Sequence, residues 1–120
     1  MHLIITDGGD RQGTYGSFYI FGPDGNCKES KSFYLGIGDH NHAEYLSLLV
    51  ALKHARKLGI KVVMIFTDSE TVEQQLLGLR PLYNPSLKRV RKLVKMELEK
   101  FTDWEIKKVD RTVIYSFLGH

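Results

Sequence analysis

Apolar positions change their spacing several times along this chain, and each change marks an element. Residues 2–7 (His-Leu-Ile-Ile-Thr-Asp) read as a short buried strand, and residues 8–13 (Gly-Gly-Asp-Arg-Gln-Gly) as a flexible polar loop. Tyr15 to Phe21 reads as a second strand, rich in aromatics. Gly22-Pro-Asp-Gly-Asn then makes a turn into a third strand around Lys31–Leu35, so strands two and three form a hairpin. With the first strand they predict a three-stranded antiparallel meander.

The period then lengthens. Over 43–58 apolar residues recur at 45, 48, 49, 52 and 55, a helical stripe, and Gly59 is a natural stop. Residues 61–67 are almost continuously apolar, which predicts a strand covered on both faces. A helix between this strand and the meander implies a crossover, so the strand runs parallel to the first. Ser69 caps a helix reaching about Leu77, with Glu70 and Glu73 in its early turns, where negative charge suits the helix dipole. Asn84-Pro85 opens another helix, whose apolar face is Leu87, Val90, Val94, Leu98 and Phe101. Trp104–Val109 reads as a final strand, and Thr112–Leu118 as a short last helix. The simplest packing is a five-stranded mixed sheet with helices on both faces, an α/β domain spanning 1–120.

Three carboxylates fall where this packing brings them together. Asp7 ends the first strand, Asp68 ends the buried one, and Glu44 lies in the first turn of a helix. Two strand ends and a helix start can meet on one side of a sheet. Carboxylates that converge repel one another unless a cation sits between them, and hard oxygen ligands suit Mg²⁺ or Mn²⁺. Metal-dependent phosphoryl chemistry is the first expectation.

Charge adds a partner. The net charge is +3, and Lys88, Arg89, Arg91, Lys92 and Lys95 crowd one stretch, mostly off the apolar stripe of their helix. Alone, such a run is an ordinary solvated helix face; beside a carboxylate cluster, a phosphate-tracking role is equally well founded. Cys27 is the single cysteine, so no internal disulfide forms. No apolar stretch reaches membrane-spanning length and no signal-peptide pattern is present, so a soluble cytoplasmic monomer is expected.

Four segments, in order, resemble the ribonuclease H family, especially its compact type I members without the basic protrusion. They are Thr6-Asp7-Gly8-Gly9 after a strand, Asn41-His-Ala-Glu44-Tyr, Phe66-Thr67-Asp68-Ser69, and Val109-Asp-Arg111 after the last strand. The resemblance covers nearly the whole chain and implies the ribonuclease H-like fold. It also implies an endonuclease that cuts the RNA strand of an RNA–DNA hybrid with two divalent ions, Mg²⁺ or Mn²⁺, leaving 5′-phosphate and 3′-hydroxyl ends. By the same resemblance Asp7 bridges both ions, Glu44 and Asp68 complete the set, and Asn41 reads the minor groove. Gly8, Gly9 and Ser69 are expected beside the substrate, as are Lys88, Arg89 and Lys92 on the basic helix.

The chain departs from the family in places. The family's fourth carboxylate lies on the last helix, about two turns beyond the arginine after the final strand. That position here is Leu118, and the Asn and Ala-Asp signature of that helix is missing. Asp110 is either a substitute ligand or a surface aspartate. His40 stands where many members have another asparagine. The family's histidine near the last helix has no match: His120 is terminal and His54 falls within the first helix. His40 and His42 flank the site and read as loop residues. Trp104 and the strand-two aromatics read as core or sheet-face residues. Two other functions stay open: a non-catalytic nucleic-acid-binding module on the same fold, and a related nuclease with another substrate such as a DNA junction.

Overall fold

The computed structural model describes residues 1–9, 14–36 and 40–118. The elements are β1 (His2–Gly9), β2 (Thr14–Phe21), β3 (Cys27–Gly36), α1 (His40–Lys57), β4 (Val62–Thr67), α2 (Glu70–Leu76), α3 (Pro85–Leu98), β5 (Asp103–Lys108) and α4 (Arg111–Leu118). The five strands form one sheet in the order β3-β2-β1-β4-β5. β1, β2 and β3 pair antiparallel, while β4 is parallel to both β1 and β5. The expected meander, crossover and mixed sheet are all present.

Side-chain alternation sorts the two faces. Ile20, Ile4, Ile65 and Ile106 stand opposite one another across four strands. All four are buried in the main core with Tyr45, Leu48 and Leu52 of α1 and Val90, Val94 and Leu98 of α3. Val72 and Leu76 of α2 join the same cluster. The tyrosine hydroxyl of Tyr45 donates to Gln75 Oε1 at 2.8 Å, tying α1 to α2. Ile5 points to the other face. There α4 covers the sheet: Ile114 is buried, and the Phe117 ring lies 6.1 Å from Phe21 and 5.9 Å from Phe66.

Several boundaries differ from the sequence reading. β1 runs through Gly8 and Gly9, which pair with Gly16 and Tyr15 of β2, so the first two residues of the expected loop are strand. Glycine lowers strand propensity, yet here a paired partner strand overrides it. The remainder of that loop, 10–13, lies outside the described residues, as does His120. α1 begins at His40, which makes His40 and His42 helical and not loop residues. β4 is not covered equally on both faces: buried and half-buried residues alternate along it, because the single helix α4 shields the second face only partly. The short last helix is present and starts at Arg111.

Candidate active site

β1 and β4 are adjacent and parallel, and the chain continues from them toward opposite edges of the sheet, from β1 to β2 and from β4 through α2 and α3 to β5. Such a switch point opens a crevice at the carboxyl ends of the strands. Asp7 is in the last part of β1 and Asp68 immediately follows β4. β3 runs parallel to β1, so α1, which follows β3, starts at the same end and brings Glu44 there. α1 also turns its positive dipole end toward the carboxylates. Three separate elements therefore deliver the three acids, as their positions in the sequence imply.

Glu44 is 1% exposed, and a glutamate so deeply buried requires polar partners. Thr67 Oγ1 lies 3.4 Å from Glu44 Oε2 and donates to it, while Ser69 N–H donates to Thr67 Oγ1 at 3.1 Å. That chain joins α1 to the loop carrying Asp68. Ser69 Oγ in turn accepts from Val72 N–H and caps α2, as the sequence reading expects. The Ser69 hydroxyl thus fixes the chain direction just after Asp68. Ser17 Oγ of β2 donates to the Asp7 carbonyl oxygen at 3.4 Å.

Arg111, the first residue of α4, closes the site from the other face. Its Nε donates to Asp68 Oδ2 at 3.1 Å, and its Nη2 lies 3.0 Å from the same oxygen and 3.9 Å from Asp7 Oδ1. The hydrogen bond and the charge of Asp68 hold the guanidinium above its ordinary pKa. The other oxygen of Asp68, Oδ1, is buried and has no hydrogen-bond partner among the described residues. Among the described residues, His40, Glu44 and Asp68 offer ligand atoms within 4.8 Å of one another. Hard carboxylate donors and a buried carboxylate oxygen without a hydrogen-bond partner among the described residues fit a divalent cation.

The remaining expected residues are placed as follows. Asn41 is in the first turn of α1, beside the carboxylates in sequence and half-buried. Gly8 and Gly9 are the last residues of β1. Asp110 is not brought to the cluster: its carboxylate is 78% exposed and pairs with Lys108 Nζ at 3.2 Å. Leu118 ends α4. Lys88, Arg89 and Lys92 are exposed on α3, and Lys88, Arg91, Lys92 and Lys95 line a shallow groove with Met96 and Glu99. Arg91 is close enough to lower the pKa of Tyr45, which burial nonetheless pushes up to about 12.

Two residues of the site were not assigned a role from sequence. In the sequence Arg111 closes one of the four matching segments and marks the count along the last helix, with no role of its own. His40 was read as a loop residue, although a helix starting at 40 puts it one turn before Glu44 on the same face.

Known proteins resemble this chain in sequence and in fold. The sequence model of the reverse transcriptase-like family matches residues 10–115. Ribonuclease HI of Halobacterium salinarum is 36% identical over 77 residues, which are 64% of this chain and 39% of that protein. The crystal structure of RNase H1 from the same archaeon superposes with a TM-score of 0.88 at 29% identity, covering 93% of this chain and 87% of that one. LC11-RNase H1, solved in complex with an RNA/DNA hybrid, gives 0.84 at 26% identity over 94% of this chain and 88% of its own. The matched segment of the curated relative is thus less than half of that protein.

Proposed function

This chain belongs to the reverse transcriptase-like family and has the ribonuclease H fold, and from that footing we propose that it is a metal-dependent endoribonuclease acting on RNA–DNA hybrids. The observation that carries the reading is the buried, unpartnered Oδ1 of Asp68, set beside Glu44 at the β1–β4 switch point. An LC11-RNase H1 seen with a hybrid supports the choice of substrate.

Asp7, Glu44 and Asp68 are the residues that hold the cations, Mg²⁺ or Mn²⁺. Bound by these residues, two such ions would supply activation of the attacking water and stabilisation of the departing 3′ oxygen, leaving 5′-phosphate and 3′-hydroxyl ends. The chain's own part is positioning. Thr67 orients Glu44, the Ser69 cap fixes the turn after Asp68, and Arg111 restrains Asp68 and Asp7 until a metal takes up their charge. Gly8 and Gly9, without side chains, let a nucleic-acid backbone come close to Asp7. Asn41 faces the hybrid's minor groove, where 2′-hydroxyls distinguish RNA from DNA. Lys88, Arg89 and Lys92 follow the phosphates, so recognition is independent of base sequence.

A substrate panel tests this reading. Hybrid, duplex RNA, duplex DNA and a four-way DNA junction are offered with Mg²⁺ and with Mn²⁺, and product ends are analysed. The expected result is cleavage of the hybrid's RNA strand alone, with 5′-phosphate ends. Binding without cleavage of any substrate would instead fit the non-catalytic module, a reading suggested by Leu118 standing where the family has its fourth carboxylate.

A further inference from the structure

We propose that His40 is a metal ligand of this site and makes it prefer Mn²⁺ to Mg²⁺. The inference rests on the carboxylate site proposed above and adds a nitrogen donor to it. His40 opens α1, so its imidazole projects over the same helix face as Glu44, four residues on. Its Nε2 lies 3.6 Å from Glu44 Oε1, too long for a hydrogen bond but within the spread of one coordination shell. The imidazole nitrogen, a Glu44 oxygen and an Asp68 oxygen all lie within 4.8 Å of one another. Ligands on opposite sides of an ion with bonds of about 2.2 Å stand about 4.4 Å apart, so small side-chain rotations seat one cation among the three.

Among the described residues no fourth acid joins the cluster, and Asp110 is exposed and paired with Lys108. His40 is a donor already at the cluster. Oxygen-only sites suit Mg²⁺, whereas an imidazole raises affinity for first-row transition ions and adds little for Mg²⁺.

The test reads the metal itself. Mn²⁺ is titrated into metal-free protein and followed by loss of the free-ion electron paramagnetic resonance signal. Pulsed spectra of the bound ion then report nitrogen coupling. The wild type should show ¹⁴N coupling that becomes ¹⁵N coupling when histidine is ¹⁵N-labelled, a readout that needs no variant. His40→Asn should lose the coupling and bind Mn²⁺ at least about tenfold more weakly, with Mg²⁺ affinity nearly unchanged. Its circular dichroism should match the wild type, since the His40 side chain is partly exposed. Bound Mn²⁺ without nitrogen coupling overturns the proposal and leaves the carboxylate site standing. Coupling that survives in His40→Asn also overturns it. Failure of the wild type to bind Mn²⁺ at all overturns both.

Discussion

Arg111 Nη2 stands 3.0 Å from Asp68 Oδ2 and 3.9 Å from Asp7 Oδ1, so the first residue of α4 links the ends of two neighbouring strands. A cation at the first position of a helix is opposed by the helix dipole, and its pairing with Asp68 must offset that cost. The pairing makes Arg111 a resident competitor of any metal. Arg111→Gln should therefore lower the stability of the metal-free protein by about 1 kcal/mol, because the guanidinium is half exposed and its pair is partly screened. The same variant should gain more thermal stability from Mg²⁺ than the wild type does. Melting curves with and without Mg²⁺ check both; equal metal-free melting points and equal Mg²⁺ shifts would contradict the competition.

Glu97 of α3 receives Arg56 of α1 at 2.7 Å and Lys100 at 3.4 Å. Burial pushes its carboxyl up, but the two cations outweigh burial and hold it below its ordinary value of 4.5. A carboxyl depressed in the folded state contributes stability above its unfolded pKa and loses it as pH falls through the folded value. Glu97→Gln should then be less stable than wild type at pH 7, with the difference shrinking below pH 4.5. Urea unfolding at several pH values measures this, and a difference that grows on acidification would reverse the assigned sign.

Gly16 lies where β2 passes close against α1. A Cβ there would collide with the Ser47 hydroxyl, which is held by its donation to the Ala43 carbonyl at 2.7 Å. Gly16→Ala should cost about 1–3 kcal/mol, the range for overpacking a well-filled interior. α1 would be displaced three residues from Glu44, so metal affinity should fall with stability. Denaturant unfolding and Mn²⁺ titration of one sample read both; a variant as stable as wild type would show that the helix can move away freely.

The exposed basic residues of α3 predict a salt effect. Neutralising Lys88, Arg89, Lys92 and Lys95 together should weaken binding of a hybrid and flatten its dependence on salt. The logarithmic slope should fall by about 0.9 for each duplex phosphate that is no longer neutralised. Filter binding at several salt concentrations, with Asp7→Asn protein to prevent cleavage, gives the slope. An unchanged slope would return this face to plain solvation.

Much of this was legible in the chain. Asp7 and Asp68 could be placed together because each ends an apolar run, and parallel strands align their ends. The β2–β3 hairpin and the Asn84 cap followed from local turn and capping chemistry. What escaped was set by contacts distant in sequence. Gly8 and Gly9 looked like a loop because nothing local shows that Gly16 and Tyr15 will pair with them. Arg111 lies forty-three residues from Asp68, and its direction depends on how α4 seats Ile114 and Phe117 on the sheet. His40 was masked by a helix start placed three residues late, which hid the one-turn relation to Glu44.

The most direct measurement incubates wild-type protein and Asp7→Asn with a hybrid labelled on its RNA strand, in Mg²⁺ and then in Mn²⁺. In the proposed site Asp7 would hold the metals, and it sits part-exposed at a strand end, so the variant should fold normally and lose cleavage entirely. Wild-type cleavage of the RNA strand that disappears in Asp7→Asn is the predicted result. Full cleavage by Asp7→Asn, or none by wild type with either metal, would contradict the Asp7–Glu44–Asp68 site.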